Sequence, residues 1–352
     1  MPKAIPKISR LPKFIMDGGN WAVKIVCGEY ECLFVHKIAE LTPAAYANAM
    51  DRYGKTAPLD FIAIDGRYFV VGETAQSYEV IRRQRRAKYT VDYYGVLFAS
   101  AVARMFFNNP ESLESGLDVI ASHASADYEF RAELRASIKR NWNFECGGVK
   151  FKFPVLSVQT FEEPFGGYAM MAFNKTKRGW ETPLNGLAVG ILDIGGGTCG
   201  CLGVSADGTI RYNVAASGEH GINSAIEALK VELQHVYRDR FKTGAPSENR
   251  LQQALQTNVY RGGGYEIPCE REVERALNPV LNDVFNLYTT SLGGGADYDL
   301  IALTGGGNGI LYNKVQAILN HGNVHLVTDP KYIHMANVRG AQVFDAVLSE
   351  GG

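Results

Sequence analysis

The sequence predicts an α/β protein of two domains built on a duplicated plan, and three observations carry that reading. The element strand, aspartate, glycine turn, strand occurs twice, around Asp17 in "FIMDGGNWAVKIV" (14–26) and around Asp193 in "ILDIGGGTCGCLGV" (191–204). Each half opens in strand-like segments and ends in helical ones, as two α/β domains with a cleft between them would. The 352 residues, 46% hydrophobic with a net charge of −1, suit a globular chain of about two domains. That balance makes no whole-chain electrostatic case for nucleic acid or an anionic membrane.

The opening "MPKAIPKISRLPKF" carries four cations and three prolines without a continuous apolar run, so it reads as a short tail and not as a signal peptide or a membrane-lying helix. Strand, turn and strand follow at 14–26. A second hairpin spans 60–75, turning at Asp65-Gly66. A helical block covers 91–107, "SGLDVIASH" (115–123) is a buried strand, and "FEEPFGGYAMMAF" (161–173) is a strand end running into a helix. After the 191–204 hairpin the chain breaks at Ala206-Asp207-Gly208 and resumes as a strand in "TIRYNV". Ile222, Ile226, Leu229, Leu233 and Val236 recur at steps of four and three, the mark of an amphipathic helix. Residues 298–319 give a buried strand, a glycine loop and a helix with Leu311, Val315 and Ile318 on one face; "ANVRGAQVFDAVL" is a closing helix.

Two literal motif matches fail on context. Gly195, Gly197 and Gly200 satisfy G-x-G-x-x-G, yet a dinucleotide fingerprint must open a helix and this one opens a strand. "GKT" at 54–56 lacks the P-loop glycine, because Ala49 stands there. The six cysteines show no C-x-x-C pair and sit in apolar contexts, which argues for reduced thiols in a cytosol-like compartment. Cys199 and Cys201 read as small core residues on one strand face.

The glycine hairpins keep a phosphate reading alive, since successive backbone N–H groups in a tight turn form an anion site without a helix. A nucleoside triphosphate with Mg²⁺ needs one or two carboxylates, and Asp17 and Asp193 offer one per half. Lys24, seven residues after Asp17, returns across the hairpin to the same end and brings a cation to the phosphates. Gly18, Gly19, Gly195, Gly196 and Gly197 let backbone approach phosphate, and Thr198 adds a hydroxyl. Hydrolysis also needs a group that orients a water; Glu163 in "EEP" is the first candidate and Glu162 the second. The third glycine loop, "TGGGNG" (304–309), offers bare backbone to a flat base.

Together "DGGNWAVK", "EEPFGG", "LDIGGGT" and "LTGGGNG", in that order, resemble the two phosphate loops, the catalytic junction and the adenosine loop of the actin-like ATPase superfamily. The closer resemblance is to bacterial and archaeal actin-like proteins of the ParM/StbA plasmid-segregation type. "DGRYFVVGETA" and "KYTVDYYGVLFASAVA" are similar to that group's first-domain hairpin and following helix, and "ANVRGA" to its closing helix. Similarity is faint at 225–290, and Trp21 departs from the small residue that many relatives carry in the first loop.

The resemblance implies the two-domain actin-like fold of duplicated ribonuclease H-like domains: residues 1–187 with a closing helix at about 335–352 returning to them, and residues 188–334. It implies an ATPase using ATP/ADP and Mg²⁺, with Asp17 and Asp193 holding the metal through water. Gly18, Gly19, Asn20, Lys24 and Gly195 to Thr198 then bind phosphates, Gly305, Gly306, Gly307 and Asn308 border adenosine, and Glu163 orients the attacking water. Helix 246–260 is a suspect for the ribose side. The partners expected are further copies of the chain, head to tail in a cytoplasmic filament, and a DNA-binding adaptor, with no direct nucleic-acid or membrane contact. The chaperones of the superfamily carry a C-terminal substrate-binding domain, and none is read here. A sugar or metabolite kinase and a non-polymerising ATPase of the same superfamily are the alternatives. "RRQRRAK" (82–88) places five cations in seven residues and reads as a solvated loop before it reads as a partner contact.

Overall fold

The computed structural model describes residues 11–83, 85–176, 179–240, 246–329 and 331–350. The first ten residues of the expected tail lie outside these, as does Gln84 of the basic run. Contacts within the chain divide it into two units, Met1–Glu163 and Pro164–Gly352.

The first unit contains β1 (Phe14–Gly18), β2 (Ala22–Cys27), β3 (Tyr30–Val35), β4 (Ile38–Leu41), α1 (Pro43–Tyr53), β5 (Phe61–Ile64), β6 (Arg67–Val71), α2 (Val96–Phe106), β7 (Leu117–His123), α3 (Arg131–Ile138), β8 (Asn141–Cys146) and β9 (Val149–Glu162). One sheet runs β3-β2-β1-β7-β9-β8-β5-β6-β4. β1, β2 and β3 are an antiparallel meander, whereas β7 lies parallel to β1 and β9 parallel to β7. β9 is long enough to serve twice: its first half pairs antiparallel with β8 and its second half parallel with β7. Asp65 and Gly66, both at positive φ, close the β5–β6 hairpin as the Asp-Gly signal predicts. The helix expected at 91–107 opens with a π turn, Val91–Gly95, before α2. Its buried face meets an aromatic core, with Phe98 5.7 Å from Phe14 and 5.2 Å from Trp142 between ring centroids.

The second unit follows α4 (Glu163–Ala172) with β10 (Asn174–Thr176), β11 (Gly179–Glu181), β12 (Val189–Ile194), β13 (Cys199–Val204), β14 (Ile210–Gly218), α5 (Ile222–Val236), α6 (Glu248–Thr257), β15 (Val259–Gly262), β16 (Tyr265–Pro268), α7 (Glu270–Asn286), β17 (Leu300–Thr304), α8 (Asn308–Leu319), β18 (Val324–Leu326) and α9 (Ala336–Glu350). Its main sheet runs β14-β13-β12-β17-β18, again an antiparallel meander followed by two parallel strands. That is the order and sense of β3-β2-β1-β7-β9, so the duplication read from two aspartates extends to five strands of each unit.

Two amphipathic faces end away from the expected place, three residues early on α5 at Leu233 and one residue late on α8. Val236 is exposed at the end of α5, and Leu319 is buried on α8 where Ile318 is only half-buried. α4 and α9 cross at Gly166 and Gly340; a Cβ on either would collide with the other helix's backbone. All six cysteines are thiols, five of them buried, and burial pushes Cys27 and Cys146 up to about 12. Among the described residues no helix is long and apolar enough to cross a membrane.

Candidate functional site

In the first unit the β1–β2 register sets Asp17 opposite Lys24, and the Lys24 ammonium donates to Asp17 Oδ2 at 2.6 Å. Ser122 Oγ, at the end of β7, donates to Asp17 Oδ1 at 2.9 Å. Burial pushes the Asp17 carboxyl up, but Lys24, with Ser122 and the charge of Lys88, outweighs it and holds it below the usual carboxylate value. The turn Gly18-Gly19-Asn20-Trp21 follows. Tyr94 fills the space over Gly18, its ring 2.6 Å from where a Cβ would stand.

His36 supports the same turn from behind. Its Nδ1 lies 2.6 Å from the Gly19 carbonyl and its Nε2 3.0 Å from the Tyr93 hydroxyl. A carbonyl only accepts, so Nδ1 carries the proton and Nε2 accepts from Tyr93; the ring is neutral. Burial, helped by the charge of Lys88, lowers its pKa to about 4. The peptide is planar and trans, so tying back the Gly19 carbonyl sends the Asn20 N–H the opposite way, out of the turn.

The second unit arranges its turn with backbone. Asp193, paired with Gly200 across the hairpin and with Thr304 on β17, opens the turn Gly195–Thr198, which is half-buried throughout. The Gly195 N–H donates to the Thr198 carbonyl at 2.9 Å. The carbonyls of Gly195 and Gly196 accept from the Ile222 and Asn223 N–H groups that open α5, at 3.2 and 2.8 Å. The N–H groups of Gly196 and Gly197 therefore face away from α5, an anion-binding arrangement. Asn337 at the start of α9 donates to Asp193 Oδ2 at 2.8 Å, and Thr304 Oγ1 donates to Asn337 Oδ1 at 3.1 Å.

Gly305 sits at φ +85° against Asp193 Oδ1, where any Cβ would collide with that oxygen. Gly306 is half-buried and Gly307 buried, its N–H donating to the Ile194 carbonyl at 2.8 Å. Asn308 opens α8 fully buried, its amide turned inward to the carbonyls of Thr304 and Leu192.

Glu163 starts α4 directly after β9, half-buried, with Oε1 3.5 Å from Ser122 Oγ, so one hydroxyl stands beside both Asp17 and Glu163. Glu162 differs in kind. Both its oxygens are buried without a hydrogen-bond partner, and burial raises its pKa to about 7, offset only in part by Ser125 and Arg131. A carboxylate closed off from solvent has no water to orient, which favours Glu163. Among the described residues no cluster of three His, Cys, Asp or Glu side chains forms a metal cage. Asp17 and Asp193 as single carboxylates suit Mg²⁺, which keeps its waters and leans on one or two carboxylates plus phosphate.

Asp17, Lys24, the glycine turns and Glu163 carry sequence signals, whereas His36, Ser122 and Asn337, which the structure sets against the two turns, were not singled out. Ser122 and Asn337 carried a signal, a polar residue inside a segment read as buried strand or closing helix. His36 carried none.

No family model matches the chain, and no curated protein matches it. Solved structures do. Ta0583, an archaeal actin homolog, matches with a TM-score of 0.71 at 14% identity over 96% of this chain and 99% of its own. A ParM subunit of a 15-stranded filament from Clostridium botulinum gives 0.66 at 14% identity over 94% and 99%. Bacillus thuringiensis ParM with AMPPNP gives 0.65 at 15% identity over 97% and 100%. The fold is actin-like. In this actin-like chain the two turns described above follow the first strand of each duplicated sheet.

Proposed function

We propose that this actin-like chain is an ATPase of the ParM type that assembles head to tail into cytoplasmic filaments on binding Mg²⁺–ATP, hydrolyses the nucleotide to turn the filament over, and moves DNA such as a plasmid through an adaptor protein. The observation that carries this reading is the repeated turn. In each unit a buried aspartate ends the first strand, and the carbonyls of the glycine turn behind it are tied back so that N–H groups face outward. Asp17 and Asp193 hold Mg²⁺ through water. Gly18, Gly19, Asn20, Lys24, Gly195, Gly196, Gly197 and Thr198 contact phosphates. Gly305 to Gly307, with the first turn of α8 at Asn308, border adenosine. Glu163 orients the attacking water, supported by its place beside Ser122.

The functional domains are residues 1–187 with 335–352, and residues 188–334; the glycine crossing of α4 and α9 supports grouping those two helices. Ta0583 in complex with ADP, Bacillus thuringiensis ParM with AMPPNP and the Clostridium botulinum ParM filament support the nucleotide and the assembly.

The test is light scattering of the purified chain on adding Mg²⁺–ATP, with sedimentation and phosphate release in parallel. Scattering that rises with pelletable polymer and decays as phosphate appears is the expected result. Hydrolysis without polymer at any concentration overturns the filament, and turnover that requires an added small acceptor makes the chain a kinase instead.

A further inference from the structure

The basic run at 82–88 does not behave as one solvated loop. Arg82, Arg83 and Arg86 are exposed, whereas Lys88 is only 6% exposed. A lysine stem ordinarily runs along the surface to carry its charge into water, whereas the Lys88 stem is packed inside. Among the described residues no carboxylate stands within ion-pair distance of the Lys88 ammonium and no acceptor hydrogen-bonds it; its neighbour is the Tyr89 ring, 5.7 Å from Nζ to centroid. Tyr89 in turn lies 5.7 Å from Tyr94, whose ring covers Gly18 of the first turn. The charge of Lys88 acts on both Asp17 and His36. Lys24 is engaged by Asp17 and His36 is neutral, so Lys88 is a further cation near this turn, with Glu163 the carboxylate on the other side of Ser122.

We infer that Lys88 is an anion-binding residue of the Gly18–Asn20 turn, its ammonium serving a phosphate oxygen of the nucleotide. This rests on the nucleotide reading above. A cation kept for a ligand makes no ion pair in the ligand-free fold, so its replacement by an uncharged side chain of similar length leaves that fold about as stable.

The experiment compares the full chain with Lys88→Met and Lys88→Gln. Affinities for ATP and for adenosine are measured with Mg²⁺ present, and the urea midpoint without ligand. Both variants are expected to lose ATP affinity by about tenfold or more while binding adenosine like the parent, with a nearly unchanged midpoint. The ratio of ATP to adenosine affinity decides, because it is read on folded protein. Parent and variants binding ATP within twofold of one another overturn the role of Lys88 and leave the nucleotide reading standing. Equal loss of ATP and adenosine with a lowered midpoint, or failure of both variants to fold, makes Lys88 a structural residue and overturns the role as well. A parent chain that binds neither ligand overturns the nucleotide reading and this inference with it.

Discussion

The two glycine turns occupy equivalent places in the same strand plan but are held by different chemistry. The first relies on side chains: Lys24 and Ser122 fix Asp17, and His36 holds the Gly19 carbonyl. The second relies on backbone and close approach: the first N–H groups of α5 hold Gly195 and Gly196, neutral Asn337 fixes Asp193, and Gly305 leaves that aspartate its space. One correspondence survives. Ser122 lies one step beyond the Met16–Ala121 pairing and Thr304 is paired with Asp193, so each aspartate has a hydroxyl on the parallel neighbour strand. In the first unit that hydroxyl meets the aspartate directly, and in the second it acts through Asn337. Equal backbone plans thus give a first turn whose aspartate is held by charge and a second whose aspartate is held by close approach at Gly305, while Gly18 of the first turn meets Tyr94.

The largest effect expected concerns what only the first turn has, a carboxylate beside the shared hydroxyl. Glu163→Ala should lower ATP turnover by about 10²–10⁴-fold with ATP binding retained, and polymer should persist longer. Phosphate release against equilibrium nucleotide binding checks it. Lost binding with unchanged turnover per bound nucleotide would move the role to another group.

The close approach at Gly305 comes next. Gly305→Ala forces a left-handed φ on alanine and drives its Cβ into Asp193, so it should cost about 3 kcal/mol or more in chemical denaturation. Gly19→Ala, whose Cβ would stand 3.3 Å from the Ala22 carbonyl at an ordinary φ, should cost about 1 kcal/mol or less. Similar costs at both positions would break the contrast between the turns.

How much of this was legible in the sequence follows the same contrast. The strand, turn and helix order was readable because its signals are local: the Asp65-Gly66 turn, the apolar spacing of α5, the glycine loop before α8. Asp17 and Lys24 were readable together because hairpin register converts seven residues of separation into direct opposition. His36, Asn337 and Ser122 act across 17, 144 and 105 residues of chain, and no local pattern encodes such pairings. Lys88 sat in a run whose composition spoke for solvent, and only burial separates it from its neighbours.

The side-chain support of the first turn is read by pH. The folded chain holds His36 near a pKa of about 4, below the 6.5 of an ordinary imidazole. Between those values the unfolded chain binds a proton that the folded chain refuses, so stability falls as pH drops from 6.5 to 4. The loss amounts to about 3 kcal/mol across that window. His36→Gln, which keeps a donor for Gly19 without the titration, should flatten that part of the curve. An unchanged slope in urea midpoints between pH 7 and 4 would show that His36 does not stay neutral in the fold.

The smallest effect has the opposite sign and belongs to Glu162, next to the catalytic candidate yet apart from both turns. Its pKa of about 7 lies above the ordinary 4.5, so the folded chain keeps a proton that the unfolded chain releases. Stability from this group is present below pH 4.5 and is lost as pH rises to about 7, beyond which the fold carries a buried, unbonded carboxylate. Glu162→Gln removes that charge at nearly constant volume. It should change stability by less than about 1 kcal/mol at pH 5 and raise it by about 2–3 kcal/mol at pH 8. An equal change at both pH values would mean that the amide's shape or hydrogen bonding, and not the charge, sets the cost. A loss at pH 8 would give the ionised carboxylate a partner, and Glu162 would then rejoin Glu163 as a candidate for the water.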